Sequence, residues 1–94
     1  MDSNSIIRMN NAGFEIMDAI FTSDNNGVCI GVSPNQYVTW WFTTRGEKVQ
    51  DVSFYHGHYF MVDRHSPNRS RAKAMADFYL RVSQGFDQTA RYYR

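Results

Sequence analysis

Residues 14–32, FEIMDAIFTSDNNGVCIGV, decide the fold. In the opening FEIMDAIF the apolar positions fit a helical period about as well as a strand period. The residues after Thr22 resolve the ambiguity. Asp24-Asn25-Asn26-Gly27 is turn chemistry, because asparagine and glycine tolerate positive φ. Beyond it, residues 28–32 are short and β-branched. Strand, tight turn and strand is the economical reading.

Working outward, Ser33-Pro34-Asn35-Gln36 is a loop, since proline stops a central strand. Residues 37–44, YVTWWFTT, are aromatic and β-branched throughout and predict a strand. Arg45-Gly46-Glu47-Lys48 turns the chain. Residues 49–61 predict a long strand in which Gly57 marks a bulge or a close backbone approach. Ser66-Pro67 starts a helix, with serine as cap and proline in the first turn. This helix runs over 66–84, with Ala72, Met75, Phe78, Tyr79 and Val82 on its packing arc. Lys73, Asp77, Arg81 and Gln84 lie opposite, and Gly85 closes the helix. Residues 1–12 read as a polar arm, and residues 86–94 as a tail too short for another sizeable element. The expected fold is one α+β domain over residues 1–94, with its sheet in 14–61. That sheet is an antiparallel four-stranded meander with one C-terminal α-helix packed on one face.

Composition sets further bounds. In 94 residues, 43% are apolar and 16% aromatic, so rings supply much of a thin core. The lone Cys29 cannot staple a monomer and reads as a small buried hydrophobe. The N-terminus lacks the apolar stretch of a secretory signal, and no run has the length of a membrane span. The expectation is a cytoplasmic protein with no membrane partner. Residues 1–63 carry three basic and seven acidic side chains, whereas residues 64–94 carry seven basic and two acidic. Such asymmetry suits an anionic partner, or mutual attraction of the two halves.

Neighbouring strand residues point to opposite faces. Val38, Trp40 and Phe42 therefore share one face and Trp41 the other. With the first set taken as the core under the helix, Trp41, Tyr55 and Tyr59 fall on a second face. That face is covered by the termini (Tyr92 and Tyr93 folding back), by a second copy in a homodimer, or by a partner. Tyrosine and tryptophan are what interface cores favour. The basic cluster Arg64, Arg69, Arg71 and Lys73, with His65, straddles the helix start. There the dipole, free N–H groups and guanidinium forks all favour an anion. Its bland alternative is a solvated face paired with the acidic half.

His56 and His58, in FYHGHYF, share a face on a regular strand. Asp63 and His65 are the nearest further ligands, and they lie past the strand end. No metal site is assigned, and a bulge at Gly57 parts the pair. No nucleophile elbow, Gly-rich phosphate loop or carboxylate pair is evident, so the reading is non-enzymatic, with no cofactor.

Gly31, Pro34, Tyr37-Val38-Thr39-Trp40, Gly57-His58-Tyr59-Phe60, and Asp77-Phe78 with Arg81 together resemble a pattern in small uncharacterised proteins. These belong to phages and conjugative elements of Gram-positive bacteria. The resemblance spans residues 14–82. It implies an accessory protein of a mobile element that binds and modulates host machinery, in its sharpest form an anti-CRISPR-type inhibitor of a CRISPR effector. The expected partner is thus a host protein or nucleoprotein. The alternative is a single-stranded nucleic-acid-binding module, with bases stacked on sheet aromatics and phosphates held by the arginine cluster.

Overall fold

The structure, a computed structural model, describes residues 1–92. A short helix α1 (Ser3–Ile6) precedes five strands: β1 (Asn10–Asn11), β2 (Phe14–Phe21), β3 (Asn26–Val32), β4 (Gln36–Thr44) and β5 (Val52–Met61). A 3-10 turn (Val49–Asp51) leads into β5, and helix α2 (Pro67–Tyr92) comes last. The strands form one curled antiparallel sheet in the order β1-β2-β3-β4-β5. The α+β class, the meander and the C-terminal helix are as expected; the sheet has five strands, not four.

The extra strand comes from the N-terminal residues. Asp2 caps α1 by accepting from the Ser5 N–H at 3.2 Å. The chain reverses at Arg8 (φ 75°), and β1 meets β2 across Ala12 (φ 51°) and Gly13 (φ 85°). Two consecutive positive φ values are what a type I′ hairpin turn needs. Alanine at the first of them is uncommon, which hides this hairpin in the sequence. The supposed arm also buries Ile6 completely.

Two irregularities explain the ambiguous sequence patterns. The β2–β3 register slips between Ile16 and Asp18. Ala19, three residues on, is thereby set on the same side as Ile16, and the apolar positions of β2 mimic a helical period. The β4–β5 register slips again opposite Trp40, where His56 adopts φ 55°. In the β2–β3 connection no residue has positive φ. Gly27 is required instead for space, because a Cβ there would lie 2.5 Å from the Phe42 ring.

The sheet carries a core on each side. One side holds Ile6, Phe14, Ile16, Ala19, Cys29, Val38, Trp40 and Phe42, with Met1, Ile7 and Met9 packed against it. The other holds Val28, Ile30, Ala74, Phe78 and Val82, with Trp41 and Phe60 alongside. Helix α2 therefore covers the Trp41 face, and the N-terminal segment covers the Trp40 face. The expected assignment was the reverse. Trp40 has no need of a helix: Phe14, Phe54 and Tyr59 ring it at centroid distances of 5.5, 5.4 and 6.4 Å.

The helix also differs from expectation. Its buried residues are Ser70, Ala74, Phe78, Arg81, Val82 and Gly85. Ala72 and Tyr79 point to solvent, while Arg81 turns inward. Gly85 does not stop the helix; it is buried where α2 crosses Thr22, and a Cβ there would meet the Thr22 side chain at 2.7 Å. Residues 86–92 continue the helix, so Tyr92 does not fold back over the sheet. Tyr93 lies outside the described residues.

Candidate functional site

A polar network lies between α2 and the sheet. Thr39 Oγ1 donates to Asp77 Oδ2 at 2.6 Å, and His58 Nδ1 lies 3.0 Å from the same oxygen. Arg81 donates to the Thr39 carbonyl at 3.2 Å and meets His58 Nε2 at 2.7 Å. A guanidinium only donates. His58 Nε2 is therefore the acceptor in that contact, and Nδ1 faces the carboxylate. The Arg81 guanidinium also sits over the Trp41 ring, 5.7 Å from its centroid. Burial lowers the Arg81 pKa from its ordinary value, with Asp77 and then Cys29 opposing. Thr39, His58, Asp77 and Arg81 thus join strand to helix.

The expected aromatic face divides. Tyr55 is paired with Trp41, on the α2 side, whereas Tyr59 is paired with Val38, on the other side. The slip at His56 is the cause: it inverts the facing of every later residue in β5. It also parts the two histidines, and both ring nitrogens of His58 are occupied. Among the described residues no group of three His, Cys, Asp or Glu side chains is placed to hold a metal.

Trp41 and Tyr55 instead line a cleft of about 390 Å³ beside the C-terminal half of α2. His56 completes their wall, its ring edge-on to Tyr55 at 5.2 Å. Thr22, Ser23, Asn26, Gly85, Gln88 and Thr89 complete the lining. No formally charged side chain lines this cleft. Its polar groups sit on the β2–β3 loop and beyond Gly85, segments whose proximity sequence reasoning missed. The expected end of the helix at Gly85 removed Gln88 from view.

The basic cluster is at the opposite end of α2. Arg64, Arg69, Arg71 and Lys73 are exposed, and among the described residues none of them makes an ion pair. The alternative in which the acidic half pairs with them finds no support among the described residues: Glu47 of that half pairs with the N-terminal amine, and Asp77, on α2 itself, pairs with Arg81. Arg69 and Lys73 line a groove of about 300 Å³ with Phe60, Met61, Asp63 and Ser70. Arg64 lines another of about 290 Å³ with Pro34, Asn35, Gln36, Met61 and Val62. Met61 borders both, and Arg71 borders neither.

Strand β5 is one edge of the sheet, paired only with β4. Its ten residues, VSFYHGHYFM, include no Asp, Glu, Lys, Arg or Pro. Those are the residue types that usually blunt an edge; only the irregularity at His56 interrupts it. No helix among the described residues is long and apolar enough to cross a membrane. Comparison with known protein families, with curated proteins and with solved structures found no match.

Proposed function

We propose that this chain is a non-enzymatic interaction protein that takes an extended, acidic segment of a partner protein along the edge of β5. The observation that carries this reading is Met61. It is 67% exposed at the end of an uncharged edge strand and is flanked by grooves bearing Arg64, Arg69 and Lys73. Main-chain hydrogen bonds along the edge supply affinity in such a mode, and flanking pockets supply selectivity. Unpaired cations at one end set the polarity of the incoming segment. Tyr59, 56% exposed, adds a ring beside the edge. In line with the resemblance to mobile-element proteins, the partner belongs to host macromolecular machinery, a CRISPR effector being the sharpest case.

The test is affinity capture from host extract with three baits: the native chain, Met61→Glu, and Arg64, Arg69 and Lys73 all changed to Glu. Loss of the same protein from both variants, with unchanged melting temperatures, supports the reading. Equal recovery by all three baits overturns it.

A further inference from the structure

The cleft at the far end of α2 has a different chemistry from the β5 edge. Its lining is uncharged yet strongly polar and combines two large rings, Trp41 and Tyr55, with two carboxamides, Asn26 and Gln88. From this combination we infer that the cleft is a binding site for an uncharged nucleobase, stacked on Trp41 and Tyr55 and read by Asn26 and Gln88.

The volume suits it. About 390 Å³ falls within the usual span of small-ligand sites, which are aromatic-lined with a few convergent polar groups. Trp41 and Tyr55 are directly cross-strand, so their rings share one face of the sheet. Every base presents a flat π-face to such a platform. Carboxamides pair a donor with an acceptor, the arrangement that matches the N6/N7 edge of adenine. The Asn26 amide nitrogen donates to Ser23 Oγ at 3.2 Å, which orients its carbonyl. The Gln88 carboxamide makes no hydrogen bond among the described residues and remains available to a ligand.

His56 supplies a second, independent sign. A non-glycine residue at φ 55° within a strand is strained, and such strain gathers at functional sites. Gly57, the residue suited to that conformation, is next in sequence but does not occupy it. The strained backbone holds the imidazole edge-on to Tyr55 at the cleft wall.

Charge decides between a base and its phosphates. No cation lines the cleft: the Arg81 guanidinium, on one side of Trp41, is committed to Thr39, His58 and Asp77, and Arg91 is bound to Asp87 at 3.0 Å. The free cluster at Lys73 is fifteen residues back along the helix, about 22 Å away. A phosphate thus gains nothing here. The ligand is a nucleoside, or a base of a single strand whose backbone stays outside.

The test is an NMR titration of the full chain with adenosine, uridine, adenosine monophosphate and methyl glucoside, monitoring the two indole N–H signals. Trp40 is buried on the other face, so only the Trp41 signal should move. Adenosine should saturate it with a Kd on the order of 0.1–1 mM. Adenosine monophosphate should bind no tighter, and uridine more weakly. Gln88→Leu, an exposed change, should weaken adenosine about tenfold and erase its advantage over uridine. Met61→Glu should leave the titration unaltered, which separates this site from the β5 edge. A short deoxyadenosine oligomer distinguishes the sources. Tighter binding that still needs Gln88 identifies a single strand, and binding no tighter than adenosine identifies a nucleoside. The inference is overturned by no saturable Trp41 shift, by tighter monophosphate binding, by preference for the glucoside, or by indifference to Gln88→Leu.

Discussion

Arg81 is 5% exposed, yet its guanidinium has three destinations: the Thr39 carbonyl, His58 Nε2 and the Asp77 carboxylate. Removing one partner of a buried charge network leaves the others unpaired. Arg81→Leu should therefore lower unfolding free energy by about 3 kcal/mol in urea titrations. Asp77 and His58 keep some access to water, which holds the loss near the lower end of the range. Cys29 shows the opposite device, a group kept neutral by burial, with its thiol pushed up to about 12 from an ordinary 9.0. A raised folded-state pKa gives stability that is complete below the unfolded value and lost as pH climbs through the folded one. The urea midpoint should thus fall between pH 9 and 12, and fall less steeply in Cys29→Ala. Iodoacetamide should label Cys29 only upon unfolding. Gly85 reverses a familiar rule. Alanine normally improves a helix interior by about 1 kcal/mol. Here its methyl meets Thr22, so Gly85→Ala should destabilise by about 1–3 kcal/mol. Adding Thr22→Ala should restore part of the loss.

Among the elements, β5 depends most on one residue. His56 absorbs the extra position opposite Trp40 in a left-handed conformation. His56→Gly should raise the melting temperature slightly, since glycine adopts that region freely. His56→Val should lower stability by about 1–2 kcal/mol, because β-branched residues resist it. The strands themselves were legible by aromatic and β-branched content: residues 37–44 lie in β4, and the stretch expected over 49–61 forms a strand from Val52, its first three residues making a 3-10 turn instead. Their facing was not. Alternation assigned Tyr55 and Tyr59 to one side, and a single irregular residue turned Tyr59 and the rest of the strand over. The helix was legible at Ser66-Pro67 but not at its far end, where Gly85 imitates a stop. Its inward arginine was hidden too. A charged side chain reads as solvated until Thr39 and His58, both remote in sequence, are brought to it beside its helix neighbour Asp77. The basic cluster was legible as composition, and its lack of ion pairs emerged only with the fold.

At the scale of the molecule, one sheet is sandwiched between unequal covers, a 26-residue helix and a short N-terminal segment. The weaker cover is the more exposed to failure. Ile6→Ala should cost about 2–5 kcal/mol, as for other fully buried isoleucines. Deleting residues 1–9 should uncover the Trp40 side and produce binding of the dye ANS together with self-association. The order of synthesis gives this arrangement a further consequence. Ile6 leaves the ribosome well before Val38, Trp40 and Phe42, with which it shares a core, so that core is incomplete while the chain grows. The nascent protein must therefore carry an unsheltered oily flap until translation is nearly over. A chaperone that grips short aliphatic segments should find it during that interval.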